Sequence, residues 1–135
     1  MLKTLIKTIA IFALLLVAGG ILIGSVLRER TLQNSSMVGL WISEADSNWK
    51  LKFTADKCYQ YYADTLVETD SYVISNTSPQ CGKTVPADNY TSYLKLTNLG
   101  DASDVICYHI NGINNKNLSL TMVGNGGQMV FKRNN

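Results

Sequence analysis

Asn48-Trp49-Lys50-Leu51-Lys52-Phe53-Thr54 alternates strictly, with Trp49, Leu51 and Phe53 on one side of an extended chain and Lys50 and Lys52 on the other. A period of two marks a strand with one buried and one wet face, because a helix would scatter the same residues around its axis. The aromatic side points to a core and the lysines to water.

The pattern recurs along the chain beyond Met37. Eight bursts can be read, over residues 39–44, 48–54, 57–63, 66–74, 90–97, 104–111, 117–123 and 127–133. Most joints are tight and carry turn residues: Ala45-Asp46-Ser47, Ala55-Asp56, Asp64-Thr65, Asn98-Leu99-Gly100-Asp101 and Gly124-Asn125-Gly126. Connections this short force neighbouring strands antiparallel. Residues 75–89 are the exception, since they hold both prolines, Pro79 and Pro86, and read as a surface loop.

Alternation also assigns faces. Beside Trp49, Leu51 and Phe53 it directs Tyr59, Tyr61, Tyr72 and Ile74 inward, then Leu94 and Leu96. The later strands contribute Ile106, Tyr108, Ile110, Leu118, Leu120, Met129 and Phe131. Leu40, Ile42, Val67 and Val73 fall outside. Eight antiparallel strands with one apolar face bury it by closing into a barrel or stacking as a sandwich, and uniform hairpin spacing favours closure, which leaves no open edge. The fold class expected is all-β, an eight-stranded antiparallel up-and-down barrel over residues 38–135. Its strands are short, and about three large inward side chains on each would fill much of the interior.

Before the barrel lies a run of different character. Residues 8–27 contain no charge and are flanked by Lys3 and Lys7 on one side and Arg28 and Arg30 on the other. As a helix the run would span roughly 30 Å, the hydrocarbon thickness of a bilayer. It reads as an N-terminal hydrophobic helix within residues 1–30, either an uncleaved membrane anchor or a signal peptide cleaved near Ala18-Gly19-Gly20, with residues 31–37 as a linker. The flanks are almost equally basic, so they do not orient it. Location therefore rests on the three cysteines, Cys58, Cys81 and Cys107, since a disulfide among them requires an oxidising compartment. Cys58 and Cys107 lie on strands about 14 Å apart in a meander, beyond disulfide reach. Cys81 is then the shared partner, and Cys58–Cys81 and Cys81–Cys107 both stand.

Charge and motif content narrow the chemistry. The whole chain carries a formal +2, yet from Met37 onward eight Lys and Arg face nine Asp and Glu. No clustered basic face exists for nucleic acid. His109 is the only histidine and alternates outward with Val105 and Cys107, so Ser/His or Cys/His catalysis has no second histidine and no placed acid. Zinc-ligand spacings are missing, and Cys81-Gly82-Lys83-Thr84 lacks the first glycine of a phosphate loop, whose place is taken by Thr77. Asp64, Glu68, Asp70, Asp101 and Asp104 fall in turns or on solvent faces and form no catalytic pair. Neither an enzyme nor a cofactor or metal site is expected.

Gly39-Leu40-Trp41 at the first strand, with Phe131-Lys132-Arg133 closing the last, resembles the small lipocalin-like domains of Bacteroidetes bacteria. In lipocalins a G-x-W opens strand one and a basic residue after the last strand packs over the tryptophan. The topology agrees, because strands one and eight of a closed meander place Trp41 and Arg133 at one end. The resemblance implies that Gly39, Trp41 and Arg133 close the barrel and that Cys81 pairs with Cys107. It also implies a membrane-tethered domain on the periplasmic side that binds a small apolar molecule or lipid inside the barrel, through the inward residues named above. The alternative function is a packed barrel that serves as an interaction module for another envelope protein, using its outward apolar residues.

Overall fold

A computed structural model of the chain describes residues 36–85, 92–124 and 126–135. The apolar run at 8–27 and most of the linker lie outside the described residues. Among the described residues no helix is long and apolar enough to cross a membrane.

Eight strands form one closed antiparallel barrel in sequence order. They are β1 (Gly39–Ser43), β2 (Trp49–Phe53), β3 (Lys57–Tyr62), β4 (Thr65–Ser75), β5 (Ser92–Asn98), β6 (Val105–Ile113), β7 (Asn117–Met122) and β8 (Gln128–Asn134). All eight bursts of alternation correspond to strands, and their bounds differ by a few residues at the ends. Each strand pairs with its neighbour in sequence, through a short turn everywhere except the long β4–β5 connection, and the ring closes where β1 runs antiparallel to β8, with Trp41 opposite Arg133 and Ser43 opposite Phe131.

Thirteen buried residues make one contiguous core, among them Trp41, Leu51, Phe53, Leu94, Leu118, Leu120 and Phe131. Phe53 and Tyr72 meet edge to face at 5.2 Å between ring centroids, and the Tyr72 hydroxyl donates to the Thr54 carbonyl at 2.8 Å. Such a pair combines aromatic burial with a satisfied polar handle.

One strand departs from the expected parity. Tyr59 and Tyr61 are not interior residues: Tyr59 stands opposite Lys52 and Tyr61 opposite Lys50, on the outer face. The cause is the β2–β3 turn. The Thr54 amide donates to the Lys57 carbonyl, so Phe53 pairs with Cys58 and Leu51 with Gln60. Cross-strand partners share a face, so Cys58 and Gln60 turn inward and are buried. A tyrosine tolerates the exchange because its hydroxyl end is wet and its ring covers the sheet.

Asp70 also reverses expectation. It pairs with Cys58, lies on the interior face of β4 and is 2% exposed, while Glu68 on the same face is half-buried. Met37, expected in the linker, is instead fully buried against the core.

The β4–β5 connection does not hang free. Its described part lies on the outer wall, where Cys81 and Val85 pack with Tyr93, Val105, Cys107 and Val123. A disulfide joins Cys81 to Cys107 with Cα atoms 6.3 Å apart, and Cys58 remains a free, buried thiol. The Lys83 ammonium adds a hydrogen bond to the Val123 carbonyl at 3.1 Å.

Candidate functional site

The two barrel ends are built differently. The end where β1 begins and β8 finishes is sealed. Trp41 and Met37 are fully buried there, and the Trp41 indole donates from Nε1 to the Met37 carbonyl at 2.8 Å. The Arg133 guanidinium lies 4.1 Å from the Trp41 ring centroid. Its Nη1 donates to the Val38 carbonyl at 2.6 Å and its Nη2 to Ser36 at 2.5 Å. One cation thus stacks on the indole and gathers the carbonyls of the entering chain. Gly39 is required beside it. A Cβ at that position would collide with Arg133 Nη1, and its φ of +142° is a conformation that side chains rarely adopt.

The opposite rim is open in character. Trp49, Ile106, Met122 and Met129 pack against the core but are only partly buried. Trp49 leans on Tyr62 at 6.1 Å between centroids, and Tyr62, Leu66, Val67 and Leu99 around this end are about half exposed.

Below this rim, the interior wall formed by β3, β4 and β5 is polar. Gln60 Nε2 donates to Asp70 Oδ2 at 2.8 Å and reaches Glu68 Oε2 at 3.2 Å. Asn98 Nδ2 donates to Glu68 Oε1 at 2.7 Å. Two carboxylates are therefore gathered on one amide nitrogen. Burial raises the Asp70 pKa above the ordinary carboxylate range; the Gln60 hydrogen bond opposes this and the Glu68 charge adds to it. Cys58 sits on the same wall with its thiol pushed well above its usual value by burial, then by Asp70 and Glu68. That thiol is a protonated packing group rather than a nucleophile. From β6, Tyr108 is pushed up to about 12 by burial and by Cys58, Asp70 and Glu68.

The residues expected to line the interior are therefore distributed unevenly. Leu51, Phe53, Tyr72, Leu94, Leu96, Tyr108, Leu118, Leu120 and Phe131 are buried in the core; Trp49, Ile106 and Met129 mark its half-open end; Tyr59 and Tyr61 are outside. Gln60, Glu68 and Asp70 were not anticipated as interior residues. The signal that would have found them is the two-residue joint Ala55-Asp56, which sets Phe53 opposite Cys58 by counting alone. His109 stacks on Tyr93 at 5.1 Å on the outer wall, half-buried. Two depressions also lie outside the barrel: a shallow groove of about 470 Å³ along the β1–β8 seam, crossed by the Lys132–Glu44 ion pair, and a cleft of about 120 Å³ beside the disulfide. The cleft is below the size of an ordinary ligand pocket. Among the described residues no group of three or more His, Cys, Asp or Glu could hold a metal.

Comparison of the chain with protein-family models, curated proteins and solved structures finds no match in any of the three.

Proposed function

We propose that this chain is a non-enzymatic, membrane-tethered, lipocalin-like binding domain, exported to the periplasmic side, that takes a small apolar molecule or lipid at its open rim. The observation that supports it is the asymmetry of the ends. One end is closed by Met37, Trp41 and Arg133, while the other leaves Trp49, Ile106, Met122 and Met129 partly uncovered above a packed core. Large apolar side chains held in that state gain about 25 cal/mol per Å² when a ligand finishes covering them. The contiguous core below them argues for a ligand lodged in the rim rather than deep in the lumen. The disulfide supports export, since cytosolic thiols stay reduced. The uncharged run at 8–27 supports the tether.

Trp49 supplies the test. With Trp41 sealed under Arg133, it is the tryptophan a rim ligand would touch. Fatty acids, sterols and alkyl alcohols titrated onto the extracted protein should shift its emission, and Trp49→Phe should abolish that shift. An unresponsive Trp49 across such a panel, with an empty barrel by native mass spectrometry, would refute the reading.

A second reading draws on Tyr62, Leu66, Val67 and Leu99, which stand half exposed around the same rim. They fit an interaction module for another envelope protein, and one dominant crosslinked partner in intact cells would favour it.

A further inference from the structure

The β4–β5 connection reaches the open rim although it leaves the barrel at the other end. In a meander whose β1 starts at the sealed end, β4 also finishes there, while β6 starts and β7 finishes at the open rim. Cys81 is bonded to Cys107, near the start of β6, and Lys83 donates to the carbonyl of Val123, just past the end of β7. The chain from Ser75 to Lys83 therefore climbs the outer wall to the lip of the barrel. Gly124 makes room for it there, since a Cβ at that position would stand 3.0 Å from the Lys83 ammonium.

At the lip, this strap and the rim share the cleft of about 120 Å³. Cys81, Lys83, Cys107 and Val123 form its outer side; Ile106 and Met122, both partly buried rim residues, form its inner side. Its volume is that of about four water molecules, room for one thiol-bearing side chain. The two sulfurs differ in access, because Cys107 is 5% exposed while Cys81 is only half-buried and stands near the exposed Lys83. The barrel, meanwhile, keeps every strand pairing without the strap. Its ring is closed by the eight strands alone, and β4 and β5 pair directly from Asp70–Asn98 to Ser75–Tyr93. Gln80, beside the bond, is held at φ +57°, a left-handed conformation disfavoured for a residue with a side chain, so the strap gains freedom once released.

We propose that Cys81–Cys107 is a redox latch: an external dithiol reduces it in the folded protein, residues 80–85 leave the outer wall, and the Ile106 and Met122 side of the rim opens for ligand exchange. A thiolate of the reductant, drawn by the Lys83 ammonium, attacks Cys81 Sγ, the more accessible sulfur. A mixed disulfide forms on Cys81 as the bond to Cys107 breaks, and Cys107 leaves as a thiolate that takes a proton from water. The reductant's second thiolate then attacks the reductant's own sulfur in the mixed disulfide, which closes the reductant's disulfide and frees Cys81 to be protonated in turn. Two electrons pass from the dithiol to the protein, so one becomes a disulfide as the other becomes two thiols. This inference rests on the rim-binding reading and specifies how the ligand is released.

The full-length native protein in nanodiscs is treated with dithiothreitol and then iodoacetamide, and decanol release is followed by stopped-flow Trp49 emission before and after reduction. Cys81 should be alkylated within minutes while Cys58, fully buried in the core, stays unlabelled. Decanol should leave the reduced protein about five-fold faster than the oxidised one. Labelling of Cys81 only in step with Cys58 would mean that the bond yields only when the whole barrel opens, which overturns the latch. Prompt labelling of Cys81 with unchanged decanol release would overturn control of the rim while leaving rim binding intact. No emission response to decanol in either redox state would overturn the rim reading and its regulation together. Both states belong to the native chain, so no variant has to fold.

Discussion

Gly39→Ala is the most telling substitution at the sealed end, because it adds one carbon where the guanidinium of Arg133 already lies. Two effects combine. The backbone at φ +142° becomes strained for any side chain, a cost of about 1.5–2 kcal/mol. The displaced guanidinium also loses its hydrogen bond to Val38 and part of its contact with Trp41. Val38 is 40% exposed and its carbonyl can turn to water, so that bond is discounted to about 1 kcal/mol, with about 0.5–1 kcal/mol more for the cation–π contact. The total is about 3–4 kcal/mol, a large share of the stability of a domain this size. Thermal unfolding followed by circular dichroism should show Tm lowered by roughly 12–32 °C. The discriminating background is Arg133→Met, which removes the obstacle. There Gly39→Ala should cost only the backbone part, so a double-mutant cycle should return a coupling of about 1.5–2 kcal/mol. Equal costs in both backgrounds would refute the steric argument, and a cost below about 0.5 kcal/mol in the native background would refute both halves.

Three further outcomes follow from the interior and the outer wall. Cys107→Ser releases a crosslink spanning 26 residues and should destabilise the barrel by about 3.5 kcal/mol in the chain-entropy view, as read from urea midpoints, with strand content retained. Asp70 binds its proton more tightly folded than unfolded, so its contribution is fully present below the ordinary carboxylate pKa and is lost as pH rises through the raised folded value. Asp70→Asn should therefore be more stable than the native chain at neutral pH and show a flatter stability profile from pH 4 upward; an unchanged profile would contradict the burial argument. Cys58 is fully buried with a raised thiol pKa, so iodoacetamide should label it only at the rate of barrel opening, whereas immediate labelling at pH 8 would place it on the surface.

The barrel was legible because its information is local. Alternation such as Trp49-Lys50-Leu51-Lys52-Phe53 and short turns determine strand direction, and closure follows once one apolar face must be hidden. The contact of Trp41 with Arg133 was legible for a related reason, since an even number of antiparallel strands returns the chain to its starting end. What escaped was β3. Alternation there is compatible with either parity, because Tyr59 and Tyr61 look more apolar than Cys58 and Gln60. Register decided instead, through the turn at Thr54–Lys57, and it carried an amide into the core that then required Glu68 and Asp70. A hydrophobicity pattern ranks side chains one at a time. A buried polar cluster is stable only as a set, and its members come from strands whose pairing the pattern does not reveal.

The seam between β1 and β8 bears on the order in which the molecule assembles. Every other pairing in the ring joins strands adjacent in sequence, so seven hairpins can form one after another as the chain lengthens. Closure brings Arg133 to Val38 across a separation of 95 residues and waits for all of them. Until then the nascent sheet has β1 on one side and, for a chain stopped before Gln128, β7 on the other, each with a row of unsatisfied amides and carbonyls. Two full-length chains that have not yet closed can complete each other by exchanging β8, so the interval before Phe131 docks on Ser43 is when association competes with folding.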